Sequence, residues 1–122
     1  NIININHVSY DDEHIYITMP YYRNGSLHHL LETKNLTIRE IINYSLDFLS
    51  AIEYLHKLGI SHCDIKPSNI LINNENKAVL ADFGSAVYLN KDGVGKLRNV
   101  YYKHIAPEQC KSTSITNKVD TK

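Results

Sequence analysis

Two short apolar runs, Ile70-Leu71-Ile72 and Ala78-Val79-Leu80-Ala81, flank the polar stretch Asn73-Asn74-Glu75-Asn76-Lys77. Apolar runs of this length around an Asn-rich turn predict a β-hairpin. A hairpin returns the chain to the point it left. Asn69 stands just before the first strand and Asp82 just after the second, so an amide and a carboxylate emerge at one end of a rigid ribbon. Asp64 precedes Asn69 by five residues, and Asn69 precedes Asp82 by thirteen. Three short words carry these residues in order: His62-Cys63-Asp64-Ile65-Lys66-Pro67-Ser68-Asn69, Asp82-Phe83-Gly84 and Ala106-Pro107-Glu108. Each alone is weak, and a lone Asp or Asn in a loop caps a turn. All three in register point to a site.

In that order and spacing the words resemble the catalytic half of a protein kinase, whose signature set is H-R-D-x-x-x-x-N, D-F-G and A-P-E. The resemblance implies an α+β, two-lobe protein-kinase-like fold, cut short. Residues 1–19 would be the last strands of the small lobe, 20–25 the hinge, and 26–122 the large lobe through an incomplete activation segment. It also implies transfer of the ATP γ-phosphate to protein hydroxyls, with Mg²⁺ as the metal. Such transfer asks for a held metal, a positioned hydroxyl and charge compensation on the phosphate oxygens. Asp64 would orient the hydroxyl and accept its proton, and Lys66 would place an ammonium on the γ-phosphate, as in serine/threonine-directed members. Asn69 and Asp82 offer the hard oxygens Mg²⁺ prefers. Met19 would gate the back of the nucleotide pocket, the Pro20 carbonyl and the Tyr22 backbone would meet adenine, and Leu71 would pack beneath it. Pro20 lacks an N–H but keeps its carbonyl, so the hinge role survives.

The flanking sequence predicts the supporting elements. Ile15–Met19 reads as the second strand of a hairpin after the turn Asp11–His14. Ser26 is an N-cap for a short helix over 27–31. Thr37 with Glu40 is a capping-box pattern opening a helix to about His56. Ile38, Ile41, Ile42, Ser45, Leu49, Ile52 and Leu55 recur at helical spacing and predict its core face. Gly59 closes the helix, and His62 reads as a packed structural imidazole. Gly93 and Gly95 predict a flexible loop over 90–96, Pro107 and Glu108 start a short helix, and the polar tail 110–122 reads as exposed loop.

The sequence departs from the family at several points. Cys63 stands where the triplet carries arginine, the partner of an activation-loop phosphate, and reads as a small packed substitute. Between Ser85 and Ser112 there is no Ser or Thr, only the hydroxyls of Tyr88, Tyr101 and Tyr102. Activity is therefore expected not to require Ser/Thr phosphorylation there. No threonine precedes Ala106 within Arg98–Ile105, where the family places one. The glycine-rich loop, the strand lysine and its helical glutamate are expected before residue 1, none of them appearing in residues 1–122, and the central helix of the large lobe is expected beyond residue 122. The piece alone is expected to be marginally stable and inactive. The runner-up reading is a non-catalytic kinase-like binding module. A small-molecule phosphotransferase of the same fold is a third, disfavoured by Lys66 and the intact Asp82-Phe83-Gly84.

Thirteen basic and thirteen acidic side chains cancel, so nothing argues for nucleic acid or a membrane surface as partner. No apolar run approaches a membrane span. Cys63 and Cys110 are far apart in sequence, which disfavours a structural disulfide and favours an intracellular, cytoplasmic setting. The oligomeric state is not encoded in any pattern found.

Overall fold

The computed structural model describes residues 1–96, 106, 107, 109 and 114–121. The elements run β1 (His7–Tyr10), β2 (Ile15–Thr18), α1 (Leu27–Thr33), α2 (Ile38–Lys57), β3 (Ile60–Ser61), β4 (Ile70–Ile72), β5 (Ala78–Leu80), β6 (Val87–Tyr88), β7 (Gly95–Lys96) and β8 (Ser114–Ile115). The strands form antiparallel pairs: β1 with β2, β3 with β6, β4 with β5, and β7 with β8.

The β4–β5 hairpin is the centre. Ile70 pairs with Leu80, Leu71 with Val79 and Ile72 with Ala78. Its turn is built by Asn73, whose Oδ1 accepts from the N–H groups of Glu75 and Lys77 at 3.0 and 2.9 Å. Asn76 takes the left-handed conformation at φ 59°, which asparagine tolerates better than most side chains. The hydroxyl of Tyr44, from α2, donates to Asn76 Oδ1 at 2.6 Å and ties turn to helix. Asp47 Oδ2 accepts from Ala78 N at 3.0 Å and ties helix to strand.

Both helices begin as their caps predict. Ser26 Oγ accepts from His29 N at 3.2 Å. Thr37 and Glu40 close a full capping box, Thr37 Oγ1 accepting from Glu40 N and Glu40 Oε2 accepting from Thr37 N. The Lys34 ammonium, 2.6 Å from Glu40 Oε1, together with the Thr37 bonds holds the Glu40 carboxyl down at about 2. Gly59, at φ +67°, ends the helix in the left-handed conformation that only glycine adopts freely.

The core face of α2 differs from the periodic stripe. Tyr44, Ala51, Ile52 and Leu55 are buried and cluster with Ile70, Ile72, Ala78 and Leu80. Of the seven residues expected there, Ile52 and Leu55 are buried, while Ile38, Ile41, Ile42, Ser45 and Leu49 are exposed. The helix is apolar on two sides, and only the Tyr44–Phe48–Ala51–Leu55 side meets the hairpin. Spacing cannot say which of two apolar sides finds a partner.

The tail is also corrected. Ser114–Ile115 pairs with Gly95–Lys96, Asn117–Thr121 is a 3₁₀ turn, and Ile115, Val119 and Asp120 are buried. The expected flexible loop over 90–96 is instead an Asn90 turn, Oδ1 accepting from Asp92 N and Val94 N, that leads into β7. Gly95 is buried there, and a Cβ on it would lie 2.8 Å from Val87 Cγ2. Pro107 has helical backbone. Glu108, Cys110, Tyr101 and Tyr102 lie outside the described residues.

Candidate active site

The 3₁₀ turn Pro67–Asn69 delivers Asn69 to the start of β4. Its Nδ2 donates to the Asp64 carbonyl and to Asp64 Oδ2, both at 2.9 Å. With the amide nitrogen spent on Asp64, the amide oxygen is the group left for another partner. Lys66 Nζ sits 3.1 Å from the same Asp64 Oδ2, with both side chains largely buried. One carboxylate oxygen of Asp64 thus carries an ammonium and an amide, and no described residue donates to Oδ1.

Ala81 N donates to Asn69 O at 2.8 Å, so the hairpin holds Asp82 one residue beyond a bond to Asn69. Asp82 is exposed and left-handed at φ 60°, a conformation that costs a non-glycine residue roughly 1 kcal/mol or more. Gly84 N donates to Asp82 Oδ1 at 3.3 Å, and a Cβ on Gly84 would crowd that oxygen at 3.2 Å.

His62 is fully buried, as its structural reading required. Asp64 N donates to His62 Nδ1 at 3.3 Å, so the ring proton belongs on Nε2, which donates to Ala81 O at 2.9 Å. The ring also meets Phe83 edge-on at 5.0 Å. One imidazole therefore joins the backbone of Asp64 to the residue before Asp82.

The residues expected at the hinge are gathered less completely. Tyr22 and Leu71 pack on the same cluster, Ile3, Val79 and Ala81. The Tyr22 carbonyl accepts from Gly25 N at 3.0 Å, closing the turn that leads to Ser26. Pro20 is half-buried, while Met19 follows the end of β2 and is 43% exposed, outside that cluster.

One residue of the site was not found in the sequence. Asp120 has no side-chain exposure. Its Oδ2 accepts from Ser61 Oγ at 2.9 Å and His62 N at 2.8 Å and lies 3.0 Å from His56 Nε2, while Oδ1 accepts from Cys63 N at 2.8 Å. This carboxylate pins the chain immediately before Asp64. The available signal was Ile115 and Val119 at helical spacing with an acid beside them. Cys63 itself is buried among Ala106, Ile115 and Val119, at φ 65°. Burial pushes its thiol up to about 11, with the Asp120 charge adding and the bond to Ser61 O opposing. That is the environment of a packed residue, not of a reactive thiol.

A family model described as Protein kinase domain matches residues 1–121. The chain belongs to the protein kinase domain family. Among its relatives, the Zea mays protein named "Probable serine/threonine-protein kinase CCRP1" is 37% identical over 94 residues, covering 76% of this chain and 15% of its own length. A Dictyostelium discoideum protein, also named a probable serine/threonine-protein kinase, is 33% identical over 116 residues, covering 93% of this chain and 16% of its own length. The Arabidopsis thaliana "Serine/threonine/tyrosine-protein kinase HT1" is 34% identical over 107 residues, covering 85% and 27%. This kinase-domain chain thus spans between about a seventh and a quarter of these relatives' lengths. No helix among its described residues is long and apolar enough to cross a membrane.

Proposed function

We propose that the protein of which this chain is part transfers the γ-phosphate of ATP to serine or threonine hydroxyls of proteins, using Mg²⁺. The observation that carries the reading is the Asp64 carboxylate, bound through Oδ2 to Lys66 and Asn69 beside a hairpin that leads into Asp82. The open Oδ1 of Asp64 suits acceptance of a substrate O–H, since a base must reach the proton it takes. The donor set fits Mg²⁺: the Asn69 amide oxygen and the Asp82 carboxylate are hard ligands, and one or two protein ligands suffice beside phosphates and water. The metal would neutralise charge on the phosphate oxygens when bound. Lys66, already turned toward Asp64, is in place to add an ammonium there. Met19, Pro20, Tyr22 and Leu71 would frame the adenine, an assignment supported by the shared packing of Tyr22 and Leu71. Zero formal charge on this chain fits protein rather than nucleic acid as the substrate.

Full-length protein incubated with radiolabelled ATP, Mg²⁺ and a generic protein substrate should transfer label, and Asp64→Asn should reduce the rate by roughly 10²- to 10⁴-fold. Equal transfer by the Asp64→Asn protein would refute the role of Asp64. A second reading, a kinase-like binding module without catalysis, draws on Cys63 occupying an apolar cluster where arginine would offer charge. It predicts partner or nucleotide binding with no transfer at any protein concentration.

A further inference from the structure

Gln109 is 5% exposed, and both ends of its amide are committed. Oε1 accepts from Ala106 N at 2.7 Å, and Nε2 donates to the Cys63 carbonyl at 3.1 Å. That carbonyl belongs to the peptide unit joining Cys63 to Asp64. The other end of the same unit, Asp64 N–H, donates to His62 Nδ1 at 3.3 Å. A peptide unit is planar and rigid, so holding its C=O and its N–H fixes the plane from which the Asp64 side chain departs. The residue ahead of it is left-handed, a conformation that persists only where the surroundings over-determine it.

A phosphate on an activation segment orders that segment through charge-assisted bonds to arginine. Cys63 offers no such charge. Its side chain instead packs on Ala106, Ile115 and Val119. Among the described residues, the neutral amide of Gln109 hydrogen-bonds the catalytic loop to the segment.

We propose that Gln109 is a positioning residue that clamps the Cys63–Asp64 peptide unit to the main chain at Ala106, setting Asp64 without any phosphate on the segment. This rests on the kinase reading above. The test uses phosphatase-treated full-length protein. Gln109→Leu removes donor and acceptor at similar volume, whereas Gln109→Glu keeps the acceptor for Ala106 N and loses the donor to Cys63. Both should lower kcat roughly tenfold or more, as one unmade buried hydrogen bond does, with KM for ATP within about twofold. A role in packing alone would leave Gln109→Leu near the parent kcat.

A second readout does not depend on turnover. Native-state alkylation of Cys63 by iodoacetamide, resolved from Cys110 by peptide mass spectrometry, should quicken roughly fivefold or more in both variants as the loop opens locally. Unchanged labelling overturns the clamp, and faster labelling with unchanged kcat overturns the positioning role. Should the parent protein transfer no phosphate, the kinase reading fails, and labelling alone then decides whether the clamp exists.

Discussion

The β4–β5 and β1–β2 hairpins are made of similar material and end in opposite states. Both are antiparallel, both are rich in isoleucine and valine, and both turn through a short polar stretch organised by one side chain: Asn73 in the first, Asp11 in the second. Yet every residue of β4 and β5 except Leu71 is buried, and every residue of β1 and β2 is exposed. Propensity and turn chemistry make a strand in either place. Burial requires a partner, and α2 supplies one only to β4–β5, through Tyr44, Ala51, Ile52 and Leu55. The hairpin that presents Asn69 and Asp82 is thus the rigid one, while the ribbon that leads to Met19 and Pro20 is held mainly by its own ladder. Residues 1–3 do not follow the ribbon: Leu80 N donates to Asn1 O and Ile3 N to Leu80 O, at 2.7 and 2.8 Å, which adds them to the β5 edge.

The contrast can be broken most sharply in the core. Ile72→Ala should cost about 2–5 kcal/mol in denaturant unfolding, since Ile72 is wholly buried, whereas Ile17→Ala in β2 should cost within about 0.5 kcal/mol. Equal costs would mean that β1–β2 is as well supported as β4–β5. Asp120→Ala comes next. It strands the N–H groups of His62 and Cys63 in a buried place, and about 3 kcal/mol is expected from unmade bonds of this kind, with a concurrent loss of transfer activity. Full activity in a folded Asp120→Ala protein would show that Asp64 needs no such anchor.

Smaller effects sharpen the picture at the edge of α2. Thr37→Ala removes the cap and half of the capping box, for about 1 kcal/mol by thermal melting. Glu40, lowered from 4.5 to about 2 by Lys34 and Thr37, stabilises the fold above its ordinary value. That contribution should fade as pH falls from about 4.5 toward 2, and Thr37→Ala should flatten the acid limb. Cys63 titrates in the other direction. Its thiol is raised from 9.0 to about 11, so the unfolded chain loses that proton first as pH rises. Stability should decline between about pH 9 and 11, and Cys63→Ala should remove this slope. An unchanged alkaline slope in Cys63→Ala would place its origin elsewhere.

What the sequence made legible was local. The Asn73 turn, the Ser26 and Thr37 caps and the Gly59 stop are each written within a few residues, and each is found in the structure; the hairpin that separates Asn69 from Asp82 was legible from its two apolar runs and is found as well. What escaped depended on distant pairing. Asp120 reaches residues 57 to 64 positions away, and the mark it leaves in an otherwise polar tail is faint, the apolar pair Ile115 and Val119. The buried side of α2 was misassigned because Ile38, Ile41, Ile42 and Leu49 are as apolar as the residues that meet the hairpin. The left-handed backbone at Cys63 was equally hidden, since cysteine carries no preference for it; two tertiary bonds, to Asp120 and Gln109, and one local bond to Ser61 O hold it there.

The central claim is that Asn69 and Asp82, brought to one end of the β4–β5 ribbon, hold the metal through which ATP is bound. Calorimetric titration of ATP into full-length protein, with and without Mg²⁺, tests it directly. Affinity should depend on Mg²⁺ and fall roughly tenfold or more in Asp82→Asn, the worth of one lost hydrogen bond or ligand to a charged group. ATP binding that ignores both the metal and the Asp82→Asn substitution would contradict the account.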